Sequence, residues 1–358
     1  MLKTILDKYL VIIKKTLPEK ICQPSVGLDI GSDSCKAVQM VLRGNSYEIL
    51  NYAIEPVVTG DTLTATKKIL DKFYLQTKSI TSSVSGKGTL IRYIEMPKMP
   101  IEDLRNSIGI EADKHFPFAK DQIYTDCFII DSPSKSNVMS VLLAAAKKEI
   151  IEKRMKLLAQ LDMRTDFIGI DSMAIANVFN VINQRMEQPE AQMEKAKGNV
   201  IAILDIGHTI SSLIILKNSV PYFTRDIFMG GHDLNKRISN TLAVDMGKAS
   251  ALKCDPKDNL NEVRAACDSV LMNLSSELRL SFDYFVTEKN IPITKLYLTG
   301  GTSNFTGMSD FFAKNFDIPV EHWNPLDFFN LAPHLDKEEL NAKMSQLGVA
   351  LGLALYRA

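Results

Sequence analysis

Nothing in this chain of 358 residues pulls it toward nucleic acid. Its 42 basic and 42 acidic residues leave a formal net charge of zero, so the basic surface that binding to a phosphate backbone requires is missing. Metal-binding side chains are sparse too. The five histidines are scattered, and the five cysteines (22, 35, 127, 254 and 267) are odd in number with no Cys-x-x-Cys pair. That pattern offers no metal site and predicts reduced thiols in a cytoplasm. No apolar run approaches the ~20 residues of a membrane span, and no secretory cleavage pattern is read near the start. What is present has globular proportions, 46% hydrophobic and 23% charged. At this length one core usually gives way to two domains.

The chain is organised around Val26-Gly-Leu-Asp-Ile-Gly-Ser-Asp-Ser-Cys-Lys36 and the apolar run Ala37 to Leu42 that follows. Two short apolar runs joined by a Gly/Ser/Asp turn predict a β-hairpin. Gly31 lets the backbone approach a ligand, and successive N–H groups in such a turn form a concavity for anions. The Ser32 hydroxyl adds a donor, and Lys36 supplies a point charge suited to phosphate. Asp29, at the end of the first run, could hold a hydrated Mg²⁺ against those phosphates. The arrangement repeats in Val200 to Leu216, where Leu204-Asp-Ile-Gly207 copies Leu28-Asp-Ile-Gly31 and His208 and Thr209 follow. Two such hairpins facing each other would grip one phosphate chain from both sides. The alternative is two ordinary hairpins in a two-domain α/β protein.

The remaining segments fall around these hairpins. Residues 1–25 read as an amphipathic N-terminal extension, with Leu2, Ile5, Leu6, Tyr9, Ile12 and Ile13 at helical spacing and a lysine excess. It would either pack on its own protein or a partner, or make a peripheral contact with an anionic membrane. Residues 26–88 and 147–186 are expected to form one half and 200–358 the other, with a polar loop over 187–199. Within the first half, Tyr47 to Ile54 predicts a third strand. Asp61 to Gln76 predicts a helix with Leu63, Ile69, Leu70 and Phe73 on one face. Lys147 to Leu161 predicts a helix with Ile150, Ile151, Met155, Leu158 and Leu161 inward. Residues 89–146 read as an inserted β-α-β-β unit with no nucleophile or metal constellation, so contact with a partner is its expected work. Asp171 stands where a strand meets an Ala-rich helix. An acid there could orient a water near a terminal phosphate, or could simply cap the helix. Later, Gly230-Gly231 opens a helix, Asn261 to Glu288 predicts a long one, and Lys295 to Thr299 enters a Gly300-Gly301-Thr302 turn. Glycines at a strand's carboxyl end let a flat ring or ribose lie on the backbone.

In its order of turns, Asp-x-Gly-Ser, then Asp-x-Gly-x-Thr, then Gly-Gly-Thr, the chain after residue 25 resembles the actin/Hsp70/sugar-kinase ATPase superfamily. The resemblance implies an α/β fold of the actin/Hsp70 type, two duplicated domains around a nucleotide cleft, with ATP and Mg²⁺ as cofactors. It implies that Asp29 and Asp205 hold Mg²⁺ through water, and that Gly31, Ser32, Lys36, Gly207, His208 and Thr209 bind phosphates. It also implies that Gly231, Lys236, Gly300, Gly301 and Thr302 line the adenosine and that Asp171 takes the catalytic position. His208 departs from the small residue usual in the superfamily. Its ring would crowd the phosphates, contact them if protonated, or point to solvent. The unit at 89–146 sits where the FtsA branch carries its inserted subdomain. Finer strings resemble the PilM family of type IV pilus assembly: Ile94-Glu-Met-Pro97, Glu111-Ala-x-x-x-Phe-Pro-Phe118, Glu277-x-Arg-x-Ser-x-Asp-Tyr284 and Val349 to Leu355. That resemblance implies a cytoplasmic ATP-binding scaffold at the inner membrane, with at most slow hydrolysis. Its partner would be the N-terminal peptide of a PilN-like inner-membrane protein, bound between the first half and the insert. An FtsA-like self-associating filament, a type II secretion component and a small-molecule kinase are the alternatives it leaves.

Overall fold

The computed structural model describes residues 23–73, 75, 79–133, 136–185 and 200–356. The expected N-terminal helix, the loop at 187–199 and the far end of the Asp61–Gln76 segment lie outside the described residues, apart from 23–25 and 75.

Two sheets repeat one topology. In the first, β1 (Ser25–Ile30), β2 (Ser34–Arg43) and β3 (Ser46–Pro56) form an antiparallel meander. On the other side of β1, β4 (Ser79–Val84) and then β8 (Arg164–Ile170) add in parallel. In the second, β9 (Val200–Ile206), β10 (Ser211–Lys217) and β11 (Val220–Ile227) form the meander, and β12 (Lys295–Thr299) and β13 (Val320–His322) add in parallel. Both sheets therefore run meander-first, with the glycine turn between the first two strands at the same corner. The central strands are buried along their length, which is why they read as continuous rather than alternating apolar runs. A two-residue strand, β14 (Asn330–Leu331), crosses back to pair with β3 at the edge of the first sheet.

Helices α1 (Thr62–Leu70), α3 (Lys148–Gln160) and α4 (Asp171–Arg185) belong to the first half. The Asp61 carboxylate accepts the Thr64 N–H at 3.0 Å and caps α1, which stops at Leu70, short of the expected Gln76. The buried face of α1 is Ala65, Thr66, Ile69 and Leu70, and Leu63 turns outward. Met155 of α3, expected inward, is 50% exposed, because that helix presses only a narrow stripe around Leu158 into the core. The second half carries α5 (Gly231–Leu242), α6 (Met246–Cys254), α7 (Leu260–Lys289) and α8 (Met308–Phe316). Along α7, Val263, Cys267, Val270, Leu274, Leu278 and Phe285 are all buried, as their three- and four-residue spacing requires.

The core does not divide where the sequence does. The last helix, α9 (Lys337–Ala354), packs against β1, β2 and α4 of the first half. Its backbone lies so close that a Cβ on Gly27 would sit 2.1 Å from the Ala350 carbonyl, and one on Gly352 would sit 1.9 Å from that of Ala174. Val38, Met40, Ile175 and Phe179 share one apolar cluster with Ile203, Ile214, Leu347 and Leu351, so α4 and α9 are wedged between the two sheets. This wedge brings Ser345, Gln346 and Gly348 to the cleft between the halves.

The inserted segment has its own three-stranded antiparallel sheet, in the order β5 (Thr89–Pro97), β7 (Val138–Lys147), β6 (Ile123–Asp131). One face is covered by α2 (Ile101–His115), whose Leu104, Ile108 and Ala112 pack on Met139, Val141 and Leu143. Phe116, in extended conformation before Pro117, ends α2, because the residue before a proline is pushed out of the helical region. Among the described residues, no helix is long and apolar enough to cross a membrane.

Candidate functional site

The two glycine turns are built alike. In each, the glycine N–H donates to the carbonyl three residues on, Gly31 to Ser34 at 3.2 Å and Gly207 to Ile210 at 2.9 Å. A Cβ on Gly31 would sit 2.9 Å from the Ser34 carbonyl oxygen, and one on Gly207 2.7 Å from that of Ile210, so only glycine closes either turn without displacing backbone. The two tips meet across the cleft. Ser32 Oγ and Thr209 Oγ1 are 3.2 Å apart, and His208 Nδ1 lies 3.5 Å from Asp33 Oδ1. The His208 ring also meets His232 edge-on, with centroids 5.4 Å apart, and it does not point to solvent. Burial first pushes the His208 imidazole below its usual pKa, with Lys253 and His232 adding to it against the pull of Asp33.

Beneath the tips lies a cleft of about 340 Å³. Of the residues expected from the sequence, Asp29, Gly31, Ser32, Lys36, Asp171, Asp205, Gly207, His208, Thr209, Gly300, Gly301 and Thr302 all line it. Gly231 sits directly behind, and a Cβ there would meet Thr302 Oγ1 at 2.4 Å and Lys253 Nζ at 2.9 Å. Lys236 is exposed on α5 and is not among the lining residues. Register explains the convergence of the acids. Asp29 faces Lys36 across the first hairpin, and Lys36 Nζ donates to Asp29 Oδ2 at 3.1 Å. Asp205 faces Ser212 on one side and Thr299 on the other. Gly300, with φ +87°, admits the next turn because a Cβ there would lie 2.4 Å from Asp205 Oδ1. Thr302 Oγ1 donates to the Gly207 carbonyl at 2.9 Å and ties the third glycine turn to the second.

Three carboxylates share this space with few cations. Burial and then the charge of Asp29 push the Asp205 carboxyl up to about 7, against the relief that Lys36 gives. Asp171 is raised by burial and by Asp29, while Ser83, Ser85 and Arg154 pull it back. Burial alone would lower the Lys36 ammonium, but Asp29, Asp205 and Asp171 together hold it above its usual value. Among the described residues, no group of three or more His, Cys, Asp or Glu side chains converges to hold a metal directly. Sequence reading missed several members of the site. Lys253 reaches the cleft from α6, with an ammonium pushed down by burial. Arg154 donates to the Ile30 carbonyl at 3.3 Å behind the first turn. Ser85, Ser212, Ser345 and Gln346 also line the cleft, and nothing in their own segments marks them.

A second cavity of about 470 Å³ opens where the insert meets both halves. Leu90, Ile91 and Phe118 come from the insert, Ile170 and Ser172 from the first half, and Thr224, Asp226 and Phe228 from the end of β11 and just beyond it.

The sequence profile of the family described as type IV pilus assembly protein PilM matches residues 27–358. Among solved structures, a PilM–PilN type IV pilus biogenesis complex superposes with a TM-score of 0.80 at 23% identity, covering 93% of this chain and 98% of that one. The ethanolamine utilization protein EutJ from Carboxydothermus hydrogenoformans matches with a TM-score of 0.53 at 13% identity, covering 96% of this chain and 93% of that one.

Proposed function

Because this chain belongs to the PilM family of type IV pilus assembly proteins and has the actin-like ATPase fold, we propose that it is an ATP-binding scaffold of that assembly, working at the inner-membrane face. The observation that carries the reading is the pair of identically closed glycine turns meeting tip to tip over three acids. In this reading Gly31, Ser32 and Lys36 hold the phosphates from one side and Gly207, His208 and Thr209 from the other. Lys253 joins them as a further cation. Gly300, Gly301 and Thr302, backed by Gly231, carry the adenosine, and exposed Lys236 drops from that set.

In this reading Asp29 and Asp205, which both line the cleft, would hold a hydrated Mg²⁺ through its water shell. Burial first, and then the charge of Asp29, raises the Asp205 carboxyl to about 7, so its ionised form is under-compensated by Lys36 alone and would gain from a cation. Once bound, the ion would neutralise phosphate charge. Asp171, half-buried at the start of α4 and lining the cleft, takes the water-orienting role in this reading. The partner in this reading is the N-terminal peptide of a PilN-type protein, received by the second cavity, where the insert meets both halves. Its wall of Leu90, Ile91, Phe118 and Phe228 suits apolar side chains. Titration with Mg·ATP tests the nucleotide assignment. The expected result is saturable binding that Asp205→Ala weakens by removing the anchor of the metal's water shell, and unchanged affinity in that variant would refute the proposed site.

A further inference from the structure

Across the second sheet, Thr299, Asp205, Ser212 and Asp226 stand side by side on directly paired positions of β12, β9, β10 and β11. Directly paired residues point to the same face. The first three line the nucleotide cleft or adjoin it, whereas Asp226 lines the second cavity. Ser212 Oγ donates to Asp226 Oδ1 at 2.7 Å, and the other oxygen, Oδ2, accepts the Gly86 N–H at 3.2 Å. Asp226 therefore joins the sheet of the second half to a backbone group of the first half, using both of its oxygens.

Gly86 is where the insert hangs. Its carbonyl accepts the Thr89 N–H at 2.9 Å and the Thr89 hydroxyl at 3.0 Å, and the neighbouring Gly88 carbonyl accepts the Lys147 N–H at 2.8 Å. The first and last strands of the inserted sheet thus both root within three residues of the Asp226 contact. Gly86 has φ +91°, a backbone conformation that glycine adopts without the strain a side chain would bring. Ser85, immediately before it, lines the nucleotide cleft, and Gly86 itself lines the second cavity.

We infer that Asp226 is the positioning residue that couples the nucleotide cleft to the second cavity: a shift of the second sheet on nucleotide binding is passed through Ser212 and Asp226 to the Gly86 amide, and so to the base of the insert. The inference rests on the nucleotide reading above. It deepens that reading by naming the contact through which occupancy of one cleft reshapes the other. A carboxylate bridging a hydroxyl and a backbone N–H is suited to the task, because both bonds are charge-assisted and strongly directional.

Hydrogen–deuterium exchange of the full chain, with and without saturating Mg·ATP, tests it. In the wild type, the peptides spanning residues 86–97 should change protection by about ten-fold on adding Mg·ATP, the factor that gain or loss of one charge-assisted hydrogen bond represents. In Asp226→Ala that response should disappear while Mg·ATP still binds. Asp226→Asn, whose amide oxygen still accepts the Gly86 N–H and whose amide nitrogen donates to the Ser212 hydroxyl without the charge, should restore it in part. A merely structural role would not separate the two variants in this way. Should Asp226→Ala fail to fold, Ser212→Ala cuts the same chain one bond earlier, and it is read at saturating Mg·ATP so that any change in affinity does not enter. A full nucleotide response in Asp226→Ala or Ser212→Ala overturns the inference, as does a wild type that binds Mg·ATP with no change at 86–97. A wild type that binds no Mg·ATP overturns the nucleotide reading itself and the inference with it.

Discussion

Asp205→Asn should make the ligand-free protein more stable, with a pH dependence whose sign follows from the site. A carboxyl whose folded-state pKa is raised from 3.8 to about 7 favours the folded state less as pH climbs. The loss begins near the lower value, grows between the two, and levels off above the higher one. The difference of about 3 between them corresponds to about 4 kcal/mol at 1.36 kcal/mol per pH unit. Asparagine keeps the shape and carries no charge, so the variant escapes this loss. It should match the wild type near pH 4 and exceed it increasingly up to pH 8. With about 2.1 cal/mol/K per residue of unfolding entropy, 4 kcal/mol raises Tm by about 5 °C if the whole chain melts as one unit. The assay is thermal unfolding of both proteins across pH 4 to 8 without nucleotide or Mg²⁺, repeated at pH 8 with excess Mg·ATP. Added ligand should stabilise the wild type, by about 2.7 kcal/mol at a hundred times Kd, and stabilise the variant much less. A variant that melts at or below the wild type at pH 8 without ligand would refute the argument that burial and Asp29 load this carboxylate.

Other perturbations probe neighbouring parts of the account. Gly300→Ala combines a left-handed backbone with a Cβ placed 2.4 Å from Asp205 Oδ1. A loss of more than about 2 kcal/mol in a denaturant titration, together with lost Mg·ATP binding, is expected, and wild-type values would show that the third turn tolerates a side chain. Deleting residues 89–146 and joining the ends, which the Lys147 N–H to Gly88 carbonyl bond holds together, should abolish binding of a PilN-type N-terminal peptide and spare nucleotide. Calorimetry showing retained peptide binding would move the partner site elsewhere.

How much of this was legible beforehand follows from how local each signal is. The hairpins at 26–42 and 200–216 were readable because strand, turn and phosphate-type residues are consecutive, and their paired registers place Asp29 opposite Lys36 and Asp205 opposite Ser212. The long helix at 260–289 showed itself through unbroken three- and four-residue spacing. By contrast, α6 has a single fully buried apolar side chain, Ala249, and so no apolar stripe, and the Lys253 it delivers to the cleft went unread. Arg154, Ser85 and Asp226 act through partners 124, 86 and 140 residues away or through the far wall of a cleft, and no local pattern announces such pairs. Lys236 shows the converse difficulty, that sequence proximity to a turn does not fix where a helical side chain points. It sits beside a real glycine turn, but helical geometry carries its side chain out to solvent. The return of α9 to the first half depends on glycines at 27 and 352 facing backbone across the core, which strand and helix periodicity does not encode.

The central claim is that the cleft is a nucleotide site whose occupancy, more than turnover, is its output. It is tested most directly by incubating the purified chain with Mg·ATP, removing free ligand, and measuring bound nucleotide and its conversion to ADP over hours. The account predicts about one nucleotide per chain, retained mostly as ATP. A chain that retains none would contradict it, and would leave the paired glycine turns as architecture without a ligand.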